Sequence, residues 1–227
     1  METNALVLTP AWTWHDHHND DAREGVWLDV LDGPVVRALN QTFMEPYGAD
    51  RQPQGAPLPA PDNVLAPANA GARMCFAWRE AEPALREAAR EAGSAYDGIV
   101  LEYVDPATGG PGSPAHSCWL HLLRPGEATR AHRHTSSAVF HVVRGHGRTK
   151  VGDTTLEWGS RDCFVAPNWA WHEHANLSSS EDAVLFSVND TPLVRYLGLY
   201  REEPELSIAR LDRAPRMFGS FLRAAWS

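Results

Sequence analysis

Eleven histidines are spread unevenly along the 227 residues, and the groups they form are where this chain could do chemistry. His132 and His134 flank Arg133, and His172 and His174 flank Glu173. Side chains alternate between the faces of a strand, so each pair sets two imidazoles on one face and sends the intervening charge to the other. Two imidazoles on one face are half of a metal site. A fold that brings His172 opposite His132 and His134 completes a triad. Three neutral nitrogen ligands suit a borderline divalent ion such as Fe, Mn, Ni, Cu or Zn, rather than Ca or Mg, which take oxygen. His174 shares the face of His172 and is the candidate for proton transfer beside the metal. An isolated histidine more often bonds a backbone carbonyl or solvent; the doubled spacing is what favours ligation here. His141 and His146 lack that spacing and are expected to be structural or surface residues. Arg124 and Arg144 are weaker candidates, for pairing a substrate carboxylate.

The pattern also repeats. Residues 10–19, Pro-Ala-Trp-Thr-Trp-His-Asp-His-His-Asn, align without a gap with residues 167–176, Pro-Asn-Trp-Ala-Trp-His-Glu-His-Ala-Asn. Each copy follows a short apolar run ending at the proline, so two copies of one structural unit are expected, the first beginning partway through. The pairs Trp12/Trp14 and Trp169/Trp171 are expected to pack in a barrel wall rather than to stack on a substrate.

The elements that must position these side chains are mainly strands. Short β-type runs fall near residues 97–103, 118–124, 138–144, 148–151, 154–158, 162–166, 172–176 and 183–188, separated by Gly and Pro. Such spacing argues for an all-β antiparallel sandwich or barrel. Residues 80–92 read as a helix with Pro83 in its first turn and Gly93 just past its end. Residues 191–201 read as a short closing helix, and the tail to 227 as irregular. Upstream, 5–9 is strand-like, 25–31 is apolar, 35–43 is helix or strand, and 46–67 is a connection rich in Pro, Ala, Gly and Asn that marks a domain boundary.

Composition removes several classes of function. Hydrophobic residues make up 43% and charged residues 22%, and no apolar run approaches a membrane span. The formal charge is −9, the pI is near 5.6, and no cluster of cations exists to bind phosphates, so neither a nucleic acid nor a membrane is an expected partner. No basic residue precedes the first apolar stretch, which is unlike a secretory signal and makes the cytoplasm the expected compartment. Cys75, Cys118 and Cys163 are odd in number and widely spaced, and are expected to be reduced, buried thiols.

Gly126, His132, His134 and Gly145, followed by Pro167, His172 and Asn176, resemble the paired motifs of the cupin superfamily. More narrowly, Glu102 to Pro111, Leu123 to Glu127, His132 to Ser137, Trp169 to His174 and Leu197 to Glu202 are similar to the bicupin ring-cleaving dioxygenases of the gentisate 1,2-dioxygenase type, a group that includes salicylate and 1-hydroxy-2-naphthoate dioxygenases. The likeness covers essentially the whole chain and begins in the middle of the family's first barrel. It implies a double-stranded β-helix, or jelly-roll, cupin in residues 95–200. A C-terminal remnant of a preceding cupin would occupy 1–45, a linker and helix 46–94, and a tail 201–227.

The resemblance also implies Fe(II), a hydroxylated aromatic acid and O2 as reactants, and a homo-oligomer. Most cupins carry a glutamate ligand four residues after the second histidine; Ala138 stands there, as in the gentisate group, whose iron is held by three histidines. Neutral ligands leave the full charge on the metal for a substrate that chelates through carboxylate and ortho hydroxyl. The family's iron resembles a site in the first barrel, of which this sequence carries the last ligand position, His15, and His17 as its acid or base. Four readings follow: a dioxygenase that converts gentisate to maleylpyruvate, a metal-binding barrel without catalysis, one half of a split dioxygenase, and a cupin that does other chemistry, such as sugar or small-acid isomerisation, or plain ligand binding.

Overall fold

A computed structural model describes residues 2–9, 13–53, 75–106 and 108–205. In chain order the elements are β1 (Leu6–Val7), α1 (Gly33–Ala38), β2 (Cys75–Phe76), α2 (Trp78–Ala88), β3 (Ile99–Glu102), β4 (Ser117–Leu123), β5 (His132–His134), β6 (Ala138–Arg144), β7 (His146–Val151), β8 (Thr154–Gly159), β9 (Cys163–Ala166), β10 (His172–Asn176), β11 (Ala183–Asn189), α3 (Thr191–Tyr196) and β12 (Glu202–Pro204). The strands form two five-stranded antiparallel sheets, ordered β12-β5-β10-β7-β8 and β3-β4-β11-β6-β9, with β1 and β2 as a separate pair.

The second sheet is covered on both faces, and its sequence shows why. Central strands β4 and β11 are almost continuously apolar, as burial on two sides requires. Leu120, Leu122, Val184 and Val188 pack outward against Ala81 and Leu85 of α2 and against Phe76 of β2. Leu123, Phe140, Phe164 and Leu185 pack inward with Trp158 of β8. Strands of the first sheet alternate instead, with Gly147 and Thr149 of β7 and His172, His174 and Asn176 of β10 turned inside. The turn into β7 needs Gly145, whose φ is +93° and where a side chain would collide with Ala183.

All eight strand runs expected from sequence appear, and their bounds shift by a residue or two. The helix expected at 80–92 starts earlier and ends sooner, so Pro83 lies inside α2 and not in its first turn. No local side chain caps its start. The Arg79 N–H instead donates to Glu2 Oε1 at 3.0 Å, a partner that no local reading can find. Gly93 is not the helix stop; a Cβ there would come within 2.6 Å of the Gly98 carbonyl oxygen, so it serves a close backbone approach. The tail is not irregular at its start, because β12 pairs with β5. Of the 35–43 stretch, residues 35–38 are helical, within α1, and 41–43 belong to no element. Cys118 is buried, but Cys75 and Cys163 are exposed.

The two copies of the sequence repeat differ in conformation. The second forms a turn and β10, which has β5 and β7 on either side. Residues 13–19 of the first form no strand, and 14–19 lie exposed; Pro10, Ala11 and Trp12 fall outside the description. Among the described residues no helix is long and apolar enough to cross a membrane.

Candidate metal centre

Antiparallel pairing of β10 with β5 sets His172 directly across from His132. One ligand atom from each of His132, His134 and His172 lies within 4.8 Å of the other two, and this is the candidate metal group among the described residues. The ring centroids stand 4.3 Å apart for His132 and His172, 4.9 Å for His134 and His172, and 5.5 Å for His132 and His134. His132 and His172 are buried and His134 is half-buried, so the group opens to one side.

Backbone acceptors fix two of the rings. His134 Nδ1–H donates to the Ser136 carbonyl at 2.8 Å, with Ser136 Oγ equally close. His172 Nδ1–H donates to the Ala170 carbonyl at 3.0 Å. In each neutral ring this leaves the Nε2 lone pair for a metal. His132 Nδ1 is buried without a hydrogen-bond partner, and His132 Nε2 lies 3.6 Å from Asp97 Oδ1, beyond hydrogen-bond reach. Burial lowers His172 to about 4, helped by the neighbouring His132 and His134, and burial lowers His132 as well. Both rings are therefore neutral at pH 7, with lone pairs available. An uncharged, converging imidazole set with an unpartnered buried nitrogen fits a divalent transition ion.

His174 points into the same interior, with its ring 5.8 Å from that of His172. Its Nδ1 lies 2.8 Å from Thr149 Oγ1, which also accepts from Trp158 Nε1 at 2.9 Å. Burial first, then the His172 ring, holds it well below the ordinary histidine range.

Other candidates lie elsewhere. His15 and His17 are exposed, their rings 5.8 Å apart, with His17 stacked on Trp27, and neither joins the triad. Arg124 donates to the Ala89 and Glu91 carbonyls at the end of α2, and Arg144 pairs with Glu82 of α2 at 2.5 Å. Both cations tie the helix to the barrel. Trp169 and Trp171 are half-buried and pack on Arg133 of β5, whose guanidinium lies 4.3 Å and 4.5 Å from their ring centres. His141 Nδ1 lies 3.5 Å from Cys163 Sγ, and His146 is exposed. Asp97 was not legible as a site residue, since it sits in a turn before β3 with no motif around it.

Residues 119–189 match the family model described as "Cupin domain". The chain is 45% identical to a 5-aminosalicylate 1,2-dioxygenase from Comamonas sp., over 89% of this chain and 56% of the relative. It is 36% identical to a 1-hydroxy-2-naphthoate 1,2-dioxygenase from Nocardioides sp., over 90% and 55%, and 34% identical to a gentisate 1,2-dioxygenase from Aquipseudomonas alcaligenes, over 89% and 60%. It thus spans little more than half the length of these relatives. A variant of salicylate 1,2-dioxygenase from Pseudoaminobacter salicylatoxidans in complex with gentisate superposes with a TM-score of 0.65 at 26% identity, covering 78% of this chain and 53% of that one. Residues 119–189 therefore have the sequence and fold of a cupin domain, and over about nine-tenths of its length the chain is similar to 1,2-dioxygenases named for 5-aminosalicylate, 1-hydroxy-2-naphthoate and gentisate.

Proposed function

We propose that this chain holds Fe(II) through His132, His134 and His172 and opens the ring of a 2-hydroxy aromatic acid with O2, gentisate to maleylpyruvate foremost. The observation that carries this is the neutral, preorganised triad at the inner face of a barrel whose relatives are named for such reactions. Bound there, the ion supplies a Lewis-acidic, one-electron centre for the reaction of O2 with a hydroxylated aromatic ring.

The chain's own residues supply the rest. The Ser136 and Ala170 carbonyls orient two ligand rings, and burial keeps His132 and His172 unprotonated. His174, neutral and hydrogen-bonded to Thr149, holds a proton position beside the triad. Trp169 and Trp171, clamped on Arg133, flank the strand that carries His132 and His134. Association into a homo-oligomer belongs to the same reading. Its support is the exposed apolar side chains Val26, Leu31, Phe43 and Met44, and sedimentation tests it.

A second reading is a metal-binding barrel without turnover, or half of a two-chain enzyme. It is favoured by the exposure of His15 and His17 away from the triad. One experiment separates the readings: load the protein with Fe(II) anaerobically, count iron per chain, and follow O2 uptake with gentisate, salicylate and 1-hydroxy-2-naphthoate. One iron per chain, absent in His172→Ala, together with turnover, supports the dioxygenase. Iron without turnover on any of the three acids selects the second reading.

A further inference from the structure

Strand β5 carries two of the three candidate ligands on three residues, and its neighbours hold it unequally. Its register with β10 is the single pair of His132 and His172. Beyond that, the Trp169 N–H donates to the His134 carbonyl at 2.7 Å. On the other side β12 pairs with every residue of β5: Glu202 with His134, Glu203 with Arg133 and Pro204 with His132. Both ends of β5 are tied there as well. The Thr135 N–H donates to the Arg201 carbonyl and the Arg201 N–H to Thr135 Oγ1, each at 2.9 Å, and the Glu205 N–H donates to the Ala131 carbonyl at 2.9 Å. Two strands alone are marginal in water, so a strand this short keeps its place by having both neighbours.

Side chains join the same parts. Arg133 Nε and Nη2 both donate to Glu203 Oε2, at 3.0 and 2.7 Å, and Glu203 also pairs with Arg201. The Arg133 guanidinium lies over Trp169 and Trp171, and that of Arg201 lies 5.1 Å from the Trp169 ring centre. These tryptophans stand just before His172, and Ala170 between them supplies the carbonyl that fixes the His172 ring. The cluster thus touches the backbone that carries all three histidines. His132 Nδ1 is buried with no partner, so no protein hydrogen bond at that atom fixes the ring, and its place depends on the strand beneath it.

We infer that residues 201–205 are a strap that positions β5 for metal binding, with Arg133, Arg201 and Glu203 as positioning residues, so that docking of the strap and occupation of the triad favour each other. The inference rests on the triad binding a metal at all. Three donors share one ion only if each is held within about 0.5 Å of its place, and a released β5 moves two of them. Such coupling is reciprocal: the factor by which the docked strap tightens metal binding is the factor by which bound metal tightens strap docking.

The test uses Zn(II) and the full chain, because a diamagnetic ion leaves amide exchange readable by nuclear magnetic resonance. In the parent, exchange at the Arg201 and Glu205 amides is compared with exchange in β11, with and without saturating Zn(II). The strap amides are expected to exchange by local opening, faster than β11, and Zn(II) to slow them by about 5- to 150-fold. A strap that serves stability alone opens equally in both states, because its opening leaves the triad as it was. Strap exchange changed by less than about twofold therefore overturns the inference. Calorimetry gives the reciprocal measure. Glu203→Arg crowds three guanidinium groups together, Arg201→Pro removes the donor to Thr135 Oγ1, and neither changes a residue of β5. A folded variant whose Glu205 amide has lost its protection is expected to bind Zn(II) more weakly, by the factor found in the parent's exchange. Unchanged affinity in such a variant overturns the inference while leaving the triad intact. Circular dichroism shows whether each variant folds; if neither does, the parent's exchange decides, and if the strap opens no more readily than β11, the variants decide. No Zn(II) binding by the parent, or equal binding by His172→Ala, overturns the triad and the inference together.

Discussion

Asn176 shows how one side chain can close a barrel. It is buried at the end of β10, and its Nδ2 donates to the carbonyls of Leu123, Arg124 and Glu181 at 3.0, 3.0 and 2.8 Å. Its Oδ1 accepts from the Ser178 N–H at 2.9 Å. The end of β4 and the loop between β10 and β11 thus share one amide. Asn176→Ala strands these carbonyls and is expected to cost roughly 2–4 kcal/mol, a fall in Tm of about 5–15 °C for a chain this size. Asn176→Asp turns the donor into an acceptor facing three carbonyls and is expected to lower Tm further than Ala does, as thermal unfolding would show. Trp169 is a different case. Its φ of +59° is the left-handed region that an aromatic side chain rarely adopts, and its N–H donates to the His134 carbonyl at 2.7 Å. The strain is held beside a candidate ligand, where it aims the indole at Arg133.

Between elements, the connections are mainly cationic. Arg133 leaves the inner face of β5, is sandwiched between Trp169 and Trp171, and pairs with Glu203 of β12 at 2.7 Å. Each cation–π contact of this kind contributes about 0.5–2 kcal/mol. Arg133→Ala is expected to free β12, and amide exchange at Arg201 and Glu205, which bond Thr135 and Ala131, should quicken on the order of tenfold while β11 is unchanged. Equal exchange at both sites would show that β12 does not depend on the clamp. Arg124 caps the far end of α2, where the free carbonyls and the helix dipole favour a cation. Arg124→Ala is expected to cost roughly 1–2 kcal/mol without altering metal affinity, measured by thermal melts and Co(II) titration. A drop in affinity would restore Arg124 to the site.

For the molecule as a whole, the buried histidines couple stability to pH. The pKa of His172 falls from 6.5 unfolded to about 4 folded, so between those values the unfolded chain binds the extra proton. Stability of the metal-free protein should therefore be full above pH 7 and decline as pH falls from 6.5 toward 4. His172 alone accounts for roughly 3 kcal/mol of that loss. His121, His132 and His174, also held low by burial, act in the same direction. A bound divalent ion competes with those protons and should shift the decline to lower pH, as denaturant titrations with and without Co(II) would show.

The strands and the shared face of His132 with His134 and of His172 with His174 are legible in the residues alone, because strand periodicity and the contrast of apolar runs with Gly and Pro are local properties. Spacing places His132 and His134 together, and the expectation of a barrel sets His172 with them. What depends on partners far apart in the chain emerges in the folded molecule. Glu2 caps α2, Arg124 and Arg144 serve the helix and not a substrate, and Trp169 and Trp171 hold a cation. The repeat at residues 13–19 forms no strand, since a strand needs a neighbour to share its hydrogen bonds. Asp97 comes within 3.6 Å of His132 for the same reason: a turn closed by Ser94, Gly93 and Gly98 is set beside β5 by backbone contacts that no spacing along the sequence encodes.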